Sequence, residues 1–200
     1  MKVTKAQAQA NRAHIVETAS HLFRERGYDG VGIADLMAAA GFTHGGFYKH
    51  FRSKAELMAE AASCGFQQGT ARVDGLHAQA FVSHYLSRKH RDNRAEGCTM
   101  AALSGDAARQ PASTRAAFAA GLESMLGGLA NGSSPPQDGN DEADARARRI
   151  GMIAQVVGAL VLSRACPDDA PLADEILDVC RTAVLAGLPA PAPQQSGPEA

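Results

Sequence analysis

At 200 residues the chain has room for one domain or two small ones. With 45% hydrophobic and 20% charged residues it is composed like a folded protein, and no apolar run reaches the ~18 residues that a membrane span requires. The opening MKVTKAQAQANRAH has no apolar stretch behind its lysines, and the four cysteines (64, 98, 166, 180) form no CxxC pair. Both features argue against a secretory leader, a disulfide framework or a zinc site. The expectation is a soluble, cytoplasmic protein with no cofactor and no metal.

The net charge of −1 conceals an asymmetry. Residues 1–55 hold eight Lys and Arg against four Asp and Glu, whereas residues 56–200 hold twelve against seventeen. Four of the seven histidines (14, 21, 44, 50) also fall in the basic part. A basic end on an acidic body suits a polyanion that touches the N-terminal part only, although a chance excess of solvated charge gives the same count.

Strand signals are scarce and helical spacing recurs. Ile15, Ala19, Leu22 and Phe23 follow the i, i+4, i+7, i+8 stripe of a helix buried on one face. Gly27 stops it, since glycine takes a positive φ without steric cost. A second helix gathers Ile33, Leu36, Met37 and Ala40 and ends at Gly41. Thr43 N-caps a short third helix, His44-Gly45-Gly46-Phe47-Tyr48-Lys49-His50, whose Phe47 pairs with Phe51. Ser53-Lys54-Ala55-Glu56 reads as a capping box opening a fourth. Further helices are expected at about 74–89, 98–109, 112–130, 141–165 and 171–187. The segment NGSSPPQDGN (131–140) reads as a loop, and the Pro-rich residues 188–200 as a disordered tail.

Short helices joined by a tight turn at Gly41 describe a helix-turn-helix. Ala38, Ala39 and Ala40 allow close helix approach, and Phe42 plugs the angle. At AAAGFTHGGFYKHFRSKAEL (38–57) the chain resembles the helix-turn-helix signature of the TetR/AcrR family of transcriptional regulators. The match is carried by Ala40, Gly41, Phe42, Thr43, Gly45, Tyr48, His50, Phe51, Ser53, Lys54 and Leu57. Two residues depart from the pattern: Gly32, where Ser or Thr is usual, and Met37, where a small Ala is usual. The resemblance implies that Thr43, Tyr48, His50 and Lys54 contact phosphate, helped by the positive end of the fourth helix. Base reading would fall to His44, Lys49 and the bare backbone at Gly45 and Gly46. For Lys49 a solvated charge, and for His50 a packing role, is the alternative.

The resemblance also assigns the C-terminal helices to ligand binding and dimerisation. Ile153, Val157, Leu160 and Val161, with Leu177 and Val184 from the last helix, are the interface candidates, and Gly158 would permit close approach; these residues could equally fill the monomer's core. Phe66, Leu76, Phe81, Tyr85, Met100, Leu103, Phe118, Leu122, Met125 and Met152 could line an apolar effector pocket or be ordinary core. In GCTMAAL (97–103), Cys98 opens a helix with Arg91 and Arg94 upstream. It is either a sensor of oxidants or electrophiles or a small packing residue.

The expected architecture is all-α with about nine helices. It comprises an N-terminal helix-turn-helix DNA-binding domain (1–53), a ligand-binding and dimerisation domain (54–187) and the tail. The expected function is that of a homodimeric DNA-binding regulator, more often a repressor in this family. It would leave a near-palindromic double-stranded operator when a small, mostly apolar effector binds; switching through Cys98 is the alternative. An enzyme is disfavoured because no nucleophile, base and orienting acid share a recognisable spacing, and His77, His84 and His90 form no HExxH. A module whose helix-turn-helix contacts only protein is disfavoured by the basic 1–55 segment.

Overall fold

The computed structural model describes residues 4–131 and 139–188, and every described element is helical. Helix α1 (Lys5–Arg26) opens at Thr4, whose hydroxyl accepts the Gln7 N–H at 3.1 Å. It closes at Gly27, with φ +74° and its N–H returned to the Phe23 carbonyl. Its inner face carries Ile15, Val16, Ala19 and Phe23. Helix α2 (Ile33–Ala39) buries Leu36 and Met37 and stops at Gly41, the other early glycine at positive φ. Gly32 holds the N-cap position of α2 and has no side chain to bond there.

The third element (His44–Lys49) is a tight 3-10 turn, with Gly46 N–H bonded to the Thr43 carbonyl and His50 N–H to that of Phe47. Adjacent glycines in a six-residue segment favour this over an α-helix, because each weakens helical propagation. Thr43 occupies the N-cap position, but its hydroxyl makes no cap bond. Phe47 and Phe51 pin the turn to the interior with ring centroids 5.5 Å apart.

Helix α3 (Lys54–Val73) starts at Ser53, whose hydroxyl accepts the Glu56 N–H. The Glu56 carboxylate reaches one residue further out than a standard capping box and accepts from Arg52 N–H at 2.8 Å. The helix begins at the expected boundary, 53/54, and packs on both α1 and α7. A single apolar cluster therefore runs from Ile15 to Val184.

The body adds α4 (Ala78–Tyr85), α5 (Arg88–Asp92), α6 (Thr99–Ala107), α7 (Ala112–Asn131), α8 (Gly139–Ala165) and α9 (Pro171–Ala186). The single helix expected at 74–89 is thus replaced by two. Gly75 turns at φ +73° after α3, Leu86 leaves helical geometry, and the Ser87 hydroxyl caps α5 by accepting the His90 N–H. Of the loop expected at 131–140, Asn131 belongs to α7, and Gly139 and Asn140 belong to α8. The rest of that loop (132–138), and all of the expected tail beyond Leu188, lie outside the described residues. Helices α8 and α9 pack side by side, with α4 against both.

Candidate nucleic-acid interface and its connection to the body

The 3-10 turn projects from a fixed base. Thr43, His44, Gly45, Tyr48 and Lys49 are exposed, Tyr48 at 66% of its surface, a value uncommon for so large an apolar ring. A methyl group at Gly45 would meet nothing within 4 Å, so no internal packing demands glycine there. At Gly46 it would rest 3.5 Å from the Met37 methyl, so the unusual Met37 fills the space directly beneath the turn. His50 is half-buried, with its ring near those of Phe42 and Phe51.

Two cations hold this head together. Arg12 of α1 bonds the Glu56 and Glu60 carboxylates of α3, donates to the His50 carbonyl at 3.2 Å and lies over the Phe51 ring. Lys54, expected at phosphate, is half-buried. Its ammonium donates to the Tyr28 carbonyl at 2.5 Å and sits 5.9 Å above the Phe23 ring. Sequence spacing places Lys54 at a helix start but carries no signal of Tyr28, twenty-six residues earlier.

In the body, Phe66, Phe81, Tyr85, Met100, Leu103, Phe118, Met125 and Met152 are buried in the continuous core, Leu76 packs half-buried against it, and Leu122 is exposed. Phe66 and Phe118 meet edge to face at 5.2 Å, and Gly121 of α7 leaves the space that the Phe66 ring occupies. None of these residues lines either of two surface clefts, one between α1 and α3 and one at the α1–α6–α8 junction. Of the interface candidates, Ile153, Leu160, Leu177 and Val184 are buried within the chain itself, Val157 is half-buried and Val161 is exposed. The stripe left outside is rotated about the helix axis from the expected one. It runs through Ile150, Ala154, Val161, Leu162 and Ala165 on α8, and through Leu172, Val179 and Ala183 on α9.

Cys98 holds the N-cap position of α6, half-buried, with no side-chain cap bond. A carbonyl can only accept, so the 2.8 Å contact to the Tyr85 oxygen puts the His90 proton on Nδ1; Nε2 is then free to accept the Cys98 N–H at 3.1 Å. Burial lowers the His90 pKa to about 4, so the ring is neutral. Burial, and then the Cys98 sulfur beside it, push the Tyr85 phenol up. Arg91 is not at the thiol. It is buried and spent on the Ser163 side chain and carbonyl, the Asp92 and Asp168 carboxylates and the Cys166 carbonyl. The cations acting on Cys98 are instead Arg24 and Arg164, distant in sequence.

Residues 15–61 match the family of bacterial regulatory proteins named for TetR. The transcriptional regulator AcrR of Shigella flexneri is 39% identical over 57 residues, which make up 28% of this chain and 26% of that protein, so the match spans about a quarter of the relative's length. Over nearly the whole chain the likeness is one of fold. The structure of the reduced form of Escherichia coli NemR superposes with a TM-score of 0.72 at 19% identity, covering 91% of this chain and all of that one. A TetR-family transcriptional regulator from Agrobacterium tumefaciens gives 0.67 at 20% identity, covering 92% of this chain and all of that one. Residues 15–61 thus carry the helix-turn-helix segment of the TetR family of bacterial regulatory proteins, and the chain as a whole has a fold seen in solved members of that family.

Proposed function

We propose that the chain is a dimeric transcriptional regulator that binds double-stranded DNA through the 3-10 turn and the residues beside it. The observation that carries this reading is the turn itself: anchored from below by Phe47, Phe51 and Met37, it leaves Tyr48, Lys49, His44 and the open Gly45 on its outer side. Tyr48, Lys49 and Thr43 would donate to phosphate oxygens. His44 and Lys49 would read base edges, with the backbone at Gly45 and Gly46 close enough to meet a thymine methyl. Lys54 keeps ammonium hydrogens for a phosphate, but its first role is to hold Tyr28.

The exposed apolar stripe on α8 and α9 supports pairing with a second copy, which would present two such turns to a near-palindromic site. Repression relieved by an effector, and cytoplasmic location, follow from the same reading; no described helix is long and apolar enough to cross a membrane. An apolar effector among Phe66, Phe118 and Met125 would have to open a packed core. Selection of the purified chain on random duplex DNA tests the reading. Enrichment of a near-palindrome that a Tyr48→Ala, Lys49→Ala double variant does not retain is expected. No enrichment at low salt, from a dimer of confirmed fold, would overturn it.

A second reading is favoured by Arg24 and Arg164 near Cys98. A peroxide would oxidise the Cys98 thiol to a sulfenic acid, one peroxide oxygen bonding to sulfur and the other leaving as water. Peroxide that lowers DNA affinity in the wild type but not in Cys98→Ser would support this reading, and an equal response in both would remove it.

A further inference from the structure

Where the end of α1, the start of α6 and the end of α8 meet, a cleft of about 380 Å³ is lined by four arginines: Arg24, Arg26, Arg94 and Arg164. One carboxylate lies on the lining, Glu25, and it is paired with Arg26 at 3.3 Å. The two deeper guanidinium groups meet only uncharged acceptors. Arg24, 3% exposed, donates to the Ala95 carbonyl at 2.6 Å and the Ser20 hydroxyl at 2.7 Å, with a long 3.5 Å contact to the Gln68 amide oxygen. Arg164 donates to the Arg91 and His90 carbonyls, both at 2.9 Å, and its buried Nη1 has no hydrogen-bond partner among the described residues. Glu96, which acts on Arg24 from outside the lining, is taken up by His21 at 2.7 Å and Arg72 at 3.0 Å. Arg94 makes no ion pair among the described residues.

Burial disfavours both inner cations, and neighbouring positive charge adds to it, from Arg72 on Arg24 and from Arg94 and Arg91 on Arg164. An uncompensated buried guanidinium is costly, and its planar fork matches the oxygens of a carboxylate or a phosphate. The remaining walls are apolar: Ala101 and Ala102 of α6 face Val161 and Ala165 of α8. The volume lies in the range of small-molecule sites.

We propose that this cleft binds a small oxyanion-bearing ligand, its carboxylate or phosphate group held by Arg94 and Arg164 and its short apolar part lying against Ala101 and Ala102. The site is separate from the apolar core positions considered above. Resting on the reading of the chain as a DNA-binding dimer, its occupancy would tie α1 to α6 and α8 and so alter DNA affinity.

The test is calorimetric titration of the full chain at low ionic strength with two probes, sodium octanoate and inorganic pyrophosphate. An Arg26→Gln, Arg94→Gln variant removes the exposed cations of the cleft and leaves Arg24 and Arg164 to hold the fold. An Arg109→Gln, Arg146→Gln variant removes the same charge elsewhere. The expected result is one site per chain for at least one probe, weakened about tenfold or more in the cleft variant and unchanged in the control. Octanoate alone would identify a carboxylate ligand, and pyrophosphate alone a phosphate one. No binding by either probe, or equal weakening in both variants, overturns the proposal. Binding intact in a chain that selects no DNA sequence would overturn the regulator reading and leave the cleft standing.

Discussion

Replacing Val179 with Asp should split the proposed dimer while leaving the protomer folded. Val179 is 60% exposed on α9, and four other large aliphatic side chains, Ile150, Val161, Leu162 and Leu172, are 43–60% exposed on the same pair of helices. Full burial of such a side chain is worth about 1.5–3 kcal/mol, so covering the half that remains exposed yields about 1 kcal/mol each. Two-fold symmetry counts every residue twice, which gives about 10 kcal/mol from the five. That is comparable with the ~4–15 kcal/mol cost of association, so the interface has little to spare. An aspartate forfeits ~1 kcal/mol in each copy and adds ~1–3 kcal/mol per copy for a carboxylate drawn out of water. The sum, about 4 kcal/mol or more, corresponds to roughly a thousandfold rise in the dimer Kd. Sedimentation velocity across a concentration series reads this directly, and circular dichroism should show the wild-type helix content. A variant that stays as dimeric as the wild type would refute the assignment of this stripe.

Other perturbations bear on the head, the core and the polar junction. Changing Tyr48 and Lys49 to Ala should weaken DNA binding across sequences and make the salt dependence shallower, by about one unit of log–log slope for each phosphate no longer neutralised; an unchanged slope would remove both from the interface. Met37→Ala should cost about 2–5 kcal/mol in urea unfolding, because Met37 is fully buried beneath the 3-10 turn; a loss under ~1 kcal/mol would mean that the turn collapses onto the gap. His90 is held neutral down to about pH 4, whereas its unfolded value is about 6.5. Between these values the unfolded chain binds the extra proton. Stability is therefore fully present above pH 6.5 and falls as the pH drops toward 4, by roughly 3 kcal/mol over the window. His90→Asn should flatten that slope, and an identical pH profile for variant and wild type would rule His90 out as its source.

Local chemistry makes the head legible. Glycines at 27 and 41 stop helices because a residue with positive φ ends them, and Ser53 caps because its hydroxyl reaches an N–H three residues on. Those signals lie within four residues of what they determine. The split between α4 and α5 escapes the sequence because Leu86 carries no breaking signal of its own. On α8 the periodicity is right and its rotation is not. Several overlapping apolar stripes fit the same helix, and only its packing against the other body helices, α9 and α6 foremost, decides that Ile153 and Leu160 face inward while Ile150 and Val161 do not. The buried arginines are equally hidden. Arg24 and Arg164 read as ordinary cations near helix C-termini, and their partners are carbonyls more than seventy residues away. Composition can reveal a charge excess, but which charges are enclosed depends on the tertiary arrangement.

That arrangement places one peptide at the meeting point of head and body. The Tyr28 N–H donates to the Asp106 carboxylate of α6 at 3.1 Å, its carbonyl accepts from Lys54 at the start of α3, and its ring stands on Phe23 of α1. Gly27 lets the chain pass: a Cβ there would come within 2.8 Å of the Asp106 carboxylate. On the other side of the head, Arg12 ties α1 to α3 and to the end of the 3-10 turn. A shift of α6 must then either break the Tyr28–Asp106 bond or carry α1 and the turn with it. Breaking it would leave a part-buried N–H and a carboxylate without their partner, at a cost of about 1–3 kcal/mol. The arginine-lined cleft touches the same α1–α6 seam on its α8 side. A ligand there and DNA at the turn would therefore bias one shared geometry, and by linkage each would change the affinity of the other by the same factor.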